Sequence, residues 1–120
     1  MTTPVRNFGA YTVTFDAEPE EISMRQHFIE ECGWTPAQYK KIASCSWFCA
    51  KVGIWKDGEE LATYYLGCCS YKTEKEFYTK YEGDYFADMV YSCAAEIKDP
   101  ELLAAVSTWC DTLREKSLPK

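Results

Sequence analysis

The turn signal Lys56-Asp57-Gly58 separates two long runs of β-favouring side chains, Trp47 to Trp55 and Glu60 to Tyr71. No other feature restricts the fold of this chain as much. Asp-Gly supplies the positive backbone angles that a two-residue hairpin loop demands. With Asp57-Gly58 as that loop, Ile54 opposes Leu61 and Ala50 opposes Tyr65. Phe48, Ala50, Val52 and Ile54 then face the core, while Lys51, Trp55, Glu60 and Tyr64 share the outer face. A three-residue loop with a bulge would exchange Tyr64 and Tyr65. The two-residue register is the preferred reading.

The remaining elements follow from periodicity and punctuation. Tyr11, Val13 and Phe15 alternate with Thr12 and Thr14, which predicts a strand over Phe8 to Phe15. Ser23 with Gln26 forms a capping box, and Gly33 suits the stop just past Cys32; Met24, Phe28 and Cys32 form that helix's stripe. Thr35-Pro36-Ala37-Gln38 repeats the start signal for a short helix ending near Ala43. Thr73 with Glu76 opens a third helix through Phe77 and Tyr81, and Gly83-Asp84 breaks and recaps the chain. Phe86, Met89, Val90, Cys93 and Ile97 then keep helical spacing, with Tyr85, Asp88, Ser92 and Glu96 towards water. Asp99-Pro100 caps a last helix with Leu102, Leu103, Val106, Cys110 and Leu113 on one stripe.

The resulting order is β-α-α-β-β-α-α-α. The 120 residues suffice for one core, so residues 1–120 read as a single α+β domain. Its simplest packing is a three-stranded antiparallel sheet, the N-terminal strand plus the hairpin, covered on one face by about five helices. The other face is left partly open and carries aromatics.

Composition narrows the function. No apolar run reaches a membrane span of ~20 residues, and the first residues lack the apolar stretch of a secretion signal. The expected setting is the cytoplasm. There the seven cysteines should remain thiols, acting mostly as small core hydrophobes; Cys93, among Met89, Val90 and Ile97, is an example. Nineteen acidic against thirteen basic residues give net −6. Direct binding to nucleic acid is disfavoured, because neutralising phosphates needs a basic patch.

Chemistry is harder to find. Cys45, Cys49, Cys68 and Cys69 are the candidate metal or redox set, yet no Cys-x-x-Cys exists. Adjacent strand residues such as Cys68 and Cys69 point to opposite faces. A nucleophilic cysteine would have only His27 as base, and acids near it raise a histidine's pKa without lowering a thiol's. His27 therefore reads as a surface histidine. Asp84 and Asp88 share a helix face as a solvated pair. The six glycines form no phosphate-binding loop. The expectation is a non-enzymatic protein without a cofactor.

Four Trp and nine Tyr exceed what one small core readily absorbs, and such side chains concentrate in protein interfaces. The candidate partner-binding residues are Trp55, Tyr64, Tyr81, Tyr85, Asp84 and Asp88, followed by Glu20/Glu21 and Glu30/Glu31. The segments Trp55-Lys-Asp-Gly-Glu-Glu-Leu, Tyr65-Leu-Gly-Cys-Cys-Ser-Tyr-Lys and Asp84-Tyr-Phe-Ala-Asp-Met-Val resemble small accessory proteins of phages and plasmids, among them anti-CRISPR inhibitors. The resemblance implies a mobile-element protein that blocks a nucleic-acid-targeting bacterial defence complex. That group shares no site, so no residue role is carried over from it. The physical counterpart is an acidic, aromatic surface competing for a basic channel on a protein partner. An immunity protein or antitoxin against a nuclease toxin has the same physics. A thiol-rich metal-binding or redox protein is the alternative from another class. The open sheet face serves either the partner or a second copy of the chain.

Overall fold

A computed structural model describes residues 2–79 and 85–117, with side chains described through Leu113. The Asp57-Gly58 loop forms as its residues demand, with φ of 52° and 77°, and joins β3 (Ser46–Lys56) to β4 (Glu59–Tyr71). Trp55 pairs with Glu60 and Lys56 with Glu59, the register of a two-residue loop. The ladder then slips, and Ile54 meets Ala62 instead of Leu61. Leu61 is the extra residue of a bulge and is left 37% exposed. This overturns the preferred facing of the tyrosines. Tyr65 pairs with Lys51 on the outer face, and Tyr64 pairs with Val52 on the helix side.

The expected N-terminal strand is in fact a hairpin. β1 (Thr3–Phe8) and β2 (Tyr11–Glu18) meet at Gly9, whose φ of 59° makes the reversal. Pro4 conceals β1 in the sequence. Proline is tolerated there because β1 is an edge strand, where a missing ladder donor costs little. The sheet is therefore four-stranded and antiparallel in the order β1-β2-β3-β4, rather than three-stranded.

Between β2 and β3 the chain makes a π-helical turn, Gln26–Glu31, and the short helix α1 (Pro36–Lys40). Ser23 Oγ accepts from the Gln26 N–H at 3.0 Å, as its sequence position predicts. Both halves of the Thr35/Gln38 capping box are present. α1 stops at Lys40, short of Ala43. Beyond the hairpin come α2 (Glu76–Thr79), α3 (Tyr85–Ile97) and α4 (Pro100–Ser117). The segment proposed to break and recap the chain at Gly83-Asp84 lies outside the described residues.

α3 packs on β3 and β4, and α4 packs on α3 and β1. Val13, Phe15, Phe48, Ala50, Val52 and Ile54 meet Phe86, Val90 and Cys93 in the core between sheet and helices. α2 has one turn and cannot hold itself together. Phe77 anchors it, with its ring 5.4 Å from Tyr71 and 5.6 Å from Phe15. Asp99 caps α4 as predicted, accepting from Glu101 N–H at 3.0 Å and Leu102 N–H at 3.3 Å. Its second oxygen takes the Tyr11 hydroxyl at 2.7 Å, tying the helix start to β2. No helix among the described residues is long and apolar enough to cross a membrane.

Candidate functional site

Strand alternation decides which side chains the helices leave uncovered. Both long helices lie on the face built from Val13, Phe15, Val52 and Ile54. The opposite face displays Asp16, Glu18, Lys51, Trp55, Glu60 and Tyr65. Trp55 donates its indole N–H to Thr14 Oγ1 at 3.0 Å, which ties the ring to the neighbouring strand. Gly53 makes room for this arrangement: a Cβ there would sit 3.2 Å from Thr14 Oγ1 and Glu60 Oε2, and 3.3 Å from Trp55 Nε1. Glu60 accepts from Thr63 and pairs with Lys51 Nζ at 3.5 Å. Lys51 is the only cation among the paired strand residues on this face. Desolvation opposes its charge, but Glu60, Tyr65 and Glu18 together lift its pKa. Tyr65 is the most exposed aromatic of the face at 58%.

One end of this face is closed by the π-helical turn. Trp47 donates to Ile22 O at 2.8 Å, and its ring stands 5.4 Å from His27 and 5.8 Å from Phe28. Next to this cap, β4 bulges again: Gly67 and Cys68 together oppose Cys49, and Cys68 takes φ of 58°. Glu20 braces the bulge by accepting the Cys68 N–H at 2.7 Å.

The turn also brings three reactive groups together. Cys32 Sγ lies 3.6 Å from His27 Nε2, and His27 Nδ1 lies 3.2 Å from Glu31 Oε2. On an α-helix Cys32 would share the stripe of Met24 and Phe28, and residues five apart would project ~140° from one another, turning Cys32 away from His27. A π-turn bonds residue i to i+5. Cys32 N–H donates to His27 O at 3.0 Å, so both side chains share a face. Met24 is buried as expected, but Cys32 is exposed. Two histidine-region acids and an early glycine stop were visible in the sequence; a π-turn has no comparable signature.

The predicted partner-binding residues fall into three places. Trp55 lies on the open sheet face, and Tyr65 occupies the position expected of Tyr64. Tyr85 and Asp88 are exposed on α3, in the helical layer on the other side of the sheet. Glu20, Glu30 and Glu31 belong to the region of the π-turn, where Glu20 already has a bracing contact; Glu21 is exposed beside it and donates its N–H to Glu20 Oε1. Tyr81 and Asp84 lie outside the described residues.

Within the candidate thiol set, Cys49 and Cys68 oppose each other across the second bulge. Cys69 is buried on the helix side, Cys68 sits in the bulge, and Cys45 and Cys49 are half-buried. Burial pushes the Cys69 thiol up to about 11 and the core thiol of Cys93 up to about 12. Among the described residues, no three His, Cys, Asp or Glu side chains are placed to hold a metal ion. In comparisons with known proteins, no family model, no curated protein and no solved structure matches the chain.

Proposed function

We propose that the protein is a non-enzymatic inhibitor of the anti-CRISPR kind, which occupies the basic nucleic-acid-binding surface of a partner protein in a bacterial defence complex. The observation that carries this reading is the sheet face left open by the helices. It sets Trp55 and Tyr65 beside Asp16, Glu18 and Glu60, with Lys51 the only cation among its paired strand residues. Carboxylates on such a face draw a basic surface over long range, while the rings supply rigid contact area at short range. The overall charge of −6 works in the same direction. Two of these groups are held in place before binding: the Trp55 ring by Thr14, and the Glu60 carboxylate by Thr63 and Lys51. Preorganisation of this kind lowers the ordering cost of association.

The test is affinity capture of the tagged chain from a bacterial lysate at low salt, followed by elution on a salt gradient. The captured protein should bind nucleic acid, and an oligonucleotide should compete for it. Asp16→Lys/Glu18→Lys and Tyr65→Ala should each weaken capture, the first mainly at low salt. Affinity that does not change between low and high salt would count against the proposal.

A further inference from the structure

The π-helical turn carries an arrangement that the sheet face does not use. We propose that Cys32 is a nucleophilic thiol, activated by His27 and oriented by Glu31, that exchanges with disulfides. It is independent of what the sheet face binds.

The geometry supplies each part. Cys32 is the one exposed thiol of the seven. Its sulfur lies 3.6 Å from His27 Nε2, and Glu31 Oε2 lies 3.2 Å from the other ring nitrogen. An ionised carboxylate only accepts, so the ring proton of a neutral His27 sits on Nδ1. Nε2 then presents its lone pair to the thiol. The ring is steadied by Phe28 at 4.9 Å and Trp47 at 5.4 Å between centroids. A thiol, a base and a group that orients the base are the parts of an activated nucleophile. The remaining thiols lack this setting. Cys69, Cys93 and Cys110 are buried, Cys45 is half-buried, and Cys49 and Cys68 are raised chiefly by desolvation and next by Glu20.

The same turn selects the reaction. Acyl transfer relies on hydrogen-bond donors directed at a developing oxyanion, most simply a pair of adjacent backbone N–H groups and otherwise polar side chains. Here Cys32 N–H is bonded to His27 O at 3.0 Å and Trp34 N–H to Phe28 O at 2.9 Å. Only Gly33 lies between them, so neither neighbouring pair is available. Thiol–disulfide exchange needs no such donors. The Cys32 thiol passes its proton to His27 Nε2, and the thiolate attacks one sulfur of a disulfide R–S–S–R. The S–S bond breaks as the Cys32–S–R bond forms. The leaving thiolate takes the proton from His27 and departs as R–SH, with no net change in electrons.

The experiment uses the full chain and dipyridyl disulfide, an uncharged probe that releases a coloured thione. One thiol per chain should react about tenfold or more faster than the rest, and peptide mass analysis should place the adduct on Cys32. Cys32→Ser should abolish the fast phase. His27→Gln should slow it about tenfold, and Glu31→Gln should slow it by a smaller factor. Because His27 packs against Trp47, circular dichroism must show that its variant is folded; Glu31, at the surface, provides the independent variant. A fast phase that survives Cys32→Ser would overturn the proposal. Unchanged rates in folded His27→Gln and Glu31→Gln would overturn it too, since exposure alone would then explain the reactivity.

Discussion

Glu20 is a sensitive place to test how this fold holds its second bulge. Its carboxylate accepts the Cys68 N–H at 2.7 Å, and the acceptor residue is only partly exposed. A hydrogen bond to a charged group contributes about 1.5–3 kcal/mol. Cys68 holds φ of 58° without being glycine, a conformation that costs roughly 1–2 kcal/mol. The two magnitudes are similar, so the bond about offsets the strain. Glu20→Ala is therefore expected to lower stability by about 1.5–2 kcal/mol. Glu20→Gln, which keeps an acceptor oxygen without the charge, should lose about half of that. Cys68→Gly removes the strain at its source and should gain about 1 kcal/mol. Gly67→Ala should act like a mild Glu20 variant, because its Cβ would lie 3.1 Å from Glu20 Oε2 and displace the carboxylate. Urea unfolding followed by circular dichroism measures all four, with an unchanged slope as the sign of a common two-state transition. A loss below about 0.5 kcal/mol for Glu20→Ala would refute the bracing role and return Glu20 to the set of residues free to meet a partner.

Other outcomes follow from the same geometry. Phe77→Ala should cost about 3–5 kcal/mol in urea unfolding and release the amides of Glu76–Thr79 to rapid hydrogen exchange, since that ring anchors a one-turn helix. The Tyr11 hydroxyl, with help from the Leu102 N–H, holds Asp99 below its ordinary 3.8, while Asp99 raises Tyr11 above 10.0. The stabilisation from Asp99 is full above pH 3.8 and is lost as the pH falls through its folded value. That from Tyr11 is full below pH 10.0 and is lost as the pH rises through its folded value. Thermal midpoints across pH should show both losses; in Tyr11→Phe the alkaline loss should disappear and the acid loss should shrink. Cys69, Cys93 and Cys110 should resist iodoacetamide in the native protein and label only after unfolding, as counted by mass spectrometry.

Much of the fold was legible because it depends on neighbours in sequence. Asp57-Gly58 demanded its turn, Thr35-Pro36 and Asp99-Pro100 capped their helices, and the stripe from Phe86 to Cys93 did meet the sheet. These signals are local: a backbone angle, an orphan donor, a repeat of 3.6 residues. β1 is not legible in the sequence because an edge strand can carry Pro4, a residue that argues against strand anywhere else. The candidate site was less legible. Trp55 was placed on the outer face correctly, but the facing of Tyr64 and Tyr65 depended on one extra residue at Leu61.

By itself, the order of residues determined the hairpin, the helix starts and an acidic chain rich in rings. Tertiary structure alone decided which rings face outward, that Glu20 reaches across the chain to Cys68, and that Cys32 meets His27. The reason is the range of the forces. Caps and turns are satisfied within a few bonds, whereas a bulge or a π-turn forms only when packing at distant positions outweighs the regular ladder it interrupts.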